Sequence, residues 1–165
     1  MALSSSASLP TDIERVVELF RSVDFVRQVS EAAGGTLESY AVQEDPSGSF
    51  EVTLVRAVPS DRLPDIARKF VGASLTLKQK DSWSAPAADG SREVRISATI
   101  SGAPVEAKAV QRLIAEGAQT RIELDGAVTS SIPFLGDKIV RAAEPAFGKA
   151  LNLQVSEALK VLGGE

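Results

Sequence analysis

Apolar residues recur along this chain with two different periods, and the changes between them divide it into elements. At the start, Leu3, Ala7 and Leu9 share a face at period two, so "MALSSSASLP" reads equally as an edge strand or as a serine-rich tail. From Pro10 the spacing turns helical. Ile13, Val16, Val17 and Phe20 fall at i, i+3, i+4 and i+7, which places them on one helix face. Thr11 and Glu14 have capping-box spacing, and Pro10 precedes the cap. Asp24 is placed to cap a second short helix, "FVRQVSEAA", which ends at Gly34–Gly35, where left-handed backbone costs little.

From Thr36 the period is two. Tyr40 and Val42 share one face, and "PSG" at 46–48 turns the chain. Phe50, Val52, Leu54 and Val58 then alternate with Glu51 and Thr53, the pattern of a half-buried antiparallel strand. Two prolines break the pattern, and a short helix is expected around Pro64–Val71. Leu75, Leu77 and Trp83 resume it, followed by Val94, Ile96, Ala98 and Ile100 after the turn "PAADGS". "SGAP" turns again, "VEAKAVQRL" alternates more weakly, and Ile122 and Leu124 point inward from a last strand. Pro133 ends that strand, because proline cannot donate to a ladder. Beyond it Val140, Ala143, Phe147, Leu151, Val155, Ala158 and Leu162 recur at helical spacing, up to Gly163–Gly164. Pro145 and Gly148 sit inside this stripe and are expected to kink or interrupt it, with two helices meeting at Pro145 as the alternative. Strands followed by a helix predict an α+β domain over 1–165, with the long helix lying across the sheet.

Composition narrows the function. The chain has 165 residues, 44% of them hydrophobic and 24% charged, as in an ordinary globular protein. The net charge of −4 and the scattered cations argue against a nucleic-acid partner. The first ten residues lack a basic n-region and an apolar core, and no apolar run approaches the ~20 residues that span a bilayer. The expectation is a cytoplasmic protein without stable membrane insertion. There is no cysteine and no histidine, so disulfides, thiolate chemistry and a Ser-His-Asp triad are excluded and the commonest transition-metal ligand is missing. No metal or cofactor is expected. The glycines of "GAPVEAK" and "FLGDK" lack the spacing of a phosphate-binding loop and read as turns.

The order of elements brings out a resemblance. Its residues are "TDIERVVELFRSVDFVRQV" at 11–29, "LPDIARKFVG" at 63–72, "LKQKDSW" at 77–83, "SGAPV" at 101–105 and "IPFLGDKIV" at 132–140. On these the chain resembles the START-like, or helix-grip, superfamily of lipid-transfer domains, plant allergen-type proteins and polyketide cyclases. More narrowly it is similar to a largely actinobacterial group of START-like proteins known only as a domain of unknown function. The resemblance implies a curved antiparallel sheet of about seven strands wrapped around the C-terminal helix, two short helices after the first strand, and a cavity between sheet and helix. It brings no catalytic residues.

In such a cavity, polar residues that interrupt an inward apolar face are the candidates for ligand contacts. Strand parity gives Arg56, in register with Phe50 and Leu54, and Gln79 and Asp81, in register with Leu77 and Trp83. Arg56 and Asp81 either pair with each other, as buried charges must, or sit where the sheet splays and their heads reach water. Tyr40 can offer its hydroxyl to a ligand or to water, and Trp83 is either core or a ligand platform. Ile96, Phe147 and Leu151 complete the expected cavity wall, whereas Lys149 and Glu157 lie off the helical stripe. The leading expectation is a monomer that binds a hydrophobic small molecule or lipid without catalysis. The alternatives are a cyclase or dehydratase using Tyr40, Arg56 and Asp81, and a filled-core interaction module. A raised carboxylate pKa inside the cavity would favour the enzyme over the carrier.

Overall fold

In this computed structural model, residues 2–59, 65, 74–101, 105–132 and 136–164 are described. Strand β1 (Ala2–Leu9) leads into helices α1 (Ile13–Phe20) and α2 (Val23–Ala32). Strands β2 (Thr36–Glu44), β3 (Phe50–Pro59), β4 (Ser74–Trp83), β5 (Arg92–Ile100), β6 (Val105–Glu116) and β7 (Gln119–Ser130) follow, and helix α3 (Gly136–Gly163) ends the chain. The strands form one antiparallel sheet in the order β1-β7-β6-β5-β4-β3-β2. This is the helix-grip architecture. The short helix expected around 64–71 (Asp65 aside, which is helical), the turn residues 102–104 and Pro133 lie outside the described residues.

Both helix starts differ from expectation by one or two residues. The cap of α1 is Asp12, whose carboxylate accepts from the Arg15 amide at 2.9 Å. The cap of α2 is Ser22, accepting from the Phe25 amide, while Asp24 lies in the first turn and pairs with Arg27. An N-cap needs extended backbone with a side chain reaching two or three residues on, and Asp12 and Ser22 have it, with ψ of 165° and 128°. The stop after α2 falls where expected, with Gly34 at φ 83°.

Strand parity holds across the sheet except at one point in β2. Leu3 and Leu9 of β1 are buried against α3 and the helix pair, so the first residues form an edge strand and not a tail. In β2 the register slips between Leu37 and Ser39, a bulge that lets Leu37 and Tyr40 face the same side. Helix α3 runs unbroken across the sheet, with Pro145 inside it on the exposed side. The proline removes one helical hydrogen bond and the carbonyl of Arg141 loses its donor, yet the flanking turns remain helical.

One expectation on α3 is overturned. Glu157 is 6% exposed, because α3 packs against α2 as well as against the sheet. Gln28 of α2 donates to its Oε1 at 3.4 Å, and Lys160 Nζ stands 2.8 Å from Oε2. The Lys160 hydrogen bond is the main reason that its pKa is lowered.

The core consists of two apolar clusters. One joins α1, α2 and the end of the sheet that carries Phe50, Trp83 and Val94. The other joins the first half of α3 to Leu3, Leu75, Ile100 and Val128. Leu151 packs against both.

Candidate functional site

Between the two clusters the inward faces of the central strands carry small or polar residues. One cross-strand row reads Leu54, Gln79, Ala98, Ala107, and the next reads Val52, Asp81, Ile96, Ala109, Gly126. Alanine and glycine do not reach the helix, so space remains beneath α3. A cavity of about 60 Å³ fills it, enough for a few ordered waters or a small headgroup. Its wall includes Leu54, Arg56, Leu77, Gln79, Asp81 and Ile96 from the sheet. Phe20, Phe25, Val26 and Val29 come from the helix pair, and Phe147, Ala150, Leu151 and Gln154 from α3.

A second chamber of about 360 Å³ adjoins the first. The two share Arg56, Leu77, Phe147 and Ala150. The outer chamber is lined by Val58, Pro59, Leu75, Ile100 and Leu153, and its rim carries the exposed Lys149. The site is therefore an apolar outer chamber that meets, at Arg56 and Phe147, a smaller inner one whose mostly apolar wall carries Arg56, Gln79, Asp81 and Gln154.

The polar groups form a chain. Ser30, almost fully buried on α2, donates to the Val26 carbonyl at 2.8 Å and accepts from Arg56 Nε at 2.6 Å. Arg56 Nη1 reaches Gln79 Oε1 at 3.4 Å, and Gln79 Nε2 donates to both oxygens of Asp81, at 2.9 and 3.2 Å. Arg56 and Asp81 thus do face inward together, and Gln79 stands between them in place of a direct ion pair. Burial pushes the Asp81 carboxyl up to about 6, against the opposing effects of the Gln79 hydrogen bond and the Arg56 charge. Burial likewise lowers the pKa of Arg56, with Asp81 opposing. On the far side of the inner chamber, Gln111 of β6 donates to Gln154 Oε1 at 2.8 Å.

Eight of the eleven residues expected at the cavity line it. Tyr40, Phe50 and Trp83 do not. The Tyr40 hydroxyl donates to the Arg21 carbonyl at the end of α1, so its proton is used within the protein and away from the cavity. Burial, Arg21 and Asp81 act on it in that order, with a net rise in its pKa. Phe50 and Trp83 lie beyond the Asp81 row and stack on each other at 5.0 Å. The Arg21 guanidinium covers Phe50 at 4.3 Å, which closes that end of the sheet as core.

Sequence reasoning missed Ser30, Gln111 and Gln154. Ser30 follows Val26 by four residues and so lies on the apolar stripe of α2. Gln111 follows Ala107 and Ala109 in register. The rule that found Gln79 and Asp81 reaches Ser30 and Gln111 when applied to helices and to weakly alternating strands. Among the described residues no group of carboxylates is placed to hold a metal ion, and no helix is long and apolar enough to cross a membrane.

The sequence profile of the family described as "Protein of unknown function (DUF2505)" matches residues 4–160, nearly the whole chain. The chain belongs to that family. Its fold is START-like, as three solved structures illustrate. A protein from Thermus thermophilus superposes with a TM-score of 0.63 at 12% identity, covering 99% of this chain and 98% of its own. The Zhui aromatase/cyclase of Streptomyces gives 0.60 at 13%, covering 99% and 93%. A START superfamily protein of Mycobacterium smegmatis gives 0.57 at 9%, covering 99% and 97%. No protein of curated function matches the sequence.

Proposed function

We propose that this family member binds a hydrophobic small molecule or lipid, without transforming it, in the two-chambered cavity under α3. The observation that carries the reading is the outer chamber. Its apolar lining and volume of about 360 Å³ fall in the range of ligand pockets, roughly 300–1,000 Å³, and it leads to a few polar groups that can orient a ligand. That chamber also favours a ligand binder over a filled-core interaction module. The shared fold with a START superfamily protein and an aromatase/cyclase is consistent with this use. Native mass spectrometry of freshly purified protein is expected to detect a bound apolar molecule, and the neutral dye Nile red to compete with it. Ala150 borders both chambers and is exposed, so Ala150→Trp is expected to fill the neck and weaken dye binding at least tenfold with the far-UV spectrum unchanged. Absence of saturable dye binding, or binding untouched by Ala150→Trp, would overturn the reading.

A second reading, an enzyme of the cyclase or dehydratase type, is favoured by one observation. Asp81 sits in the cavity with its pKa raised to about 6, where a carboxyl can both give and take a proton near neutrality. Against it, Tyr40 is committed to a backbone carbonyl, and the chain has no histidine to act with Asp81. Under the enzymatic reading Asp81→Asn abolishes turnover of a bound polyketide-like substrate while dye binding persists.

A further inference from the structure

We propose that the ligand is an amphiphile with a carboxylate or similar anionic headgroup, seated on the Arg56 guanidinium at the neck with its apolar body in the outer chamber. This rests on the binding role proposed above and adds the class of ligand.

The first reason is the state of Arg56. Its Nε is used by Ser30, and its Nη1 has only the long contact to the Gln79 oxygen. Among the described residues no carboxylate lies within ion-pair distance of it. A half-buried cation without a direct counter-charge is costly, and a guanidinium fork matches a carboxylate through two parallel hydrogen bonds. The second terminal nitrogen, Nη2, makes no hydrogen bond to a described residue, and the side chain borders both chambers.

The second reason is the charge of the outer chamber. Among its described lining residues the charged ones are Arg56 and Lys149, both cations, in a chain of net charge −4. The rest of that wall is apolar. Such a surface suits a molecule that is mostly hydrocarbon with one negative end.

The third is Asp81. It lies behind Arg56, joined to it through Gln79, and a ligand anion on Arg56 adds a second negative charge nearby. The other groups facing Asp81 are Gln79 on its own strand, Ile96 and Ala109 on β5 and β6, and Gln154 on α3, all uncharged. Tyr40 on β2 is a neutral phenol at these pH values, and Arg21 of the α1 end acts on it and not on Asp81. Arg56 is the cation that offsets the charge of Asp81, beside the Gln79 hydrogen bond, and the ligand competes for it. Anion binding therefore draws a proton onto Asp81.

The probes are decanoate and decan-1-ol, which share a chain and differ in the head. Isothermal titration at pH 7 is expected to show decanoate binding at least tenfold tighter than the alcohol. Repeating it in two buffers of different ionisation enthalpy is expected to show net proton uptake. Arg56→Gln is expected to remove the preference for the acid, and Asp81→Asn to keep the preference and remove the proton uptake. If Arg56→Gln does not fold, the alcohol comparison and Asp81→Asn in the otherwise native protein still decide the matter. Equal affinity for acid and alcohol, with neither variant changing it, overturns the headgroup assignment and leaves the apolar site standing. Failure of both probes to bind, together with Nile red, overturns the site itself.

Discussion

A carboxyl whose pKa rises on folding makes the protein less stable when ionised, and Asp81 is such a group. The folded state holds the Asp81 proton more tightly than the unfolded chain does. Its contribution is therefore most favourable below about pH 4, falls as pH rises to about 6, and is flat above that. At about 1.4 kcal/mol per unit the loss is about 2–3 kcal/mol. Asp81→Asn is expected to stabilise the protein by about 1–3 kcal/mol at pH 8, with the gain vanishing near pH 4, as read from urea unfolding at the two pH values. A gain that is the same at both would show that Asp81 is not the titrating group. Along α3, Phe147→Ala is expected to cost about 3–5 kcal/mol and Leu151→Ala, half-buried, about 2 kcal/mol. Lys149→Ala should stay within about 0.5 kcal/mol. Glu157→Ala should cost about 1–3 kcal/mol, since it leaves the Gln28 amide without its acceptor.

At the scale of the element, sequence and structure agree where a period decides and part where packing does. Parity placed Arg56, Gln79 and Asp81 on the inner face because a one-residue slip would have exposed every apolar partner. Spacing placed Phe147 and Leu151 on the buried stripe of α3 for the same kind of reason. Neither rule says which cross-strand row the helix covers, so Phe50 read as cavity wall, and Trp83 was left between core and ligand platform, where the structure makes both core. Nor does a stripe show that a second helix covers its flank, which is why Glu157 read as exposed. The caps were misplaced because Thr11 and Asp12, or Ser22 and Asp24, are all capable residues and backbone angles choose among them. Pro145 tests the unbroken helix directly. Pro145→Ala restores the donor for Arg141 on an exposed face and is expected to raise the thermal midpoint, by a free energy of up to about 3 kcal/mol. A lowered midpoint would mean that the proline is needed to shape α3. In β7, a side chain at Gly126 would approach the Lys108 carbonyl to 2.4 Å and the Ala109 methyl to 2.6 Å. Gly126→Ala should therefore unfold the protein at lower denaturant concentration, and the small residues of that row are fixed by strand approach as well as by the cavity.

For the molecule as a whole, Val23 and Leu159 are the exposed large hydrophobic side chains among the described residues, at 39% and 45%. They make no broad apolar patch, so a monomer is expected across the concentrations of a sedimentation experiment, and a dimer that persists on dilution would contradict it. The sheet order also bears on how the chain reaches this state. Strand β1 pairs with β7, Ala2 opposite Ala127 and Leu9 opposite Thr120, so its ladder partner lies more than a hundred residues away. The hairpins from β2 to β7 can form between neighbours, whereas β1 must wait for the last strand and cross a long loop to find it. Of the strands of this sheet, the first to leave a ribosome is thus the last to be paired. Pulse-labelled hydrogen exchange during refolding should show the amides of β1 gaining protection after those of β3 to β6, and a β1 protected as early as they are would mean that the chain ends meet before the sheet grows between them.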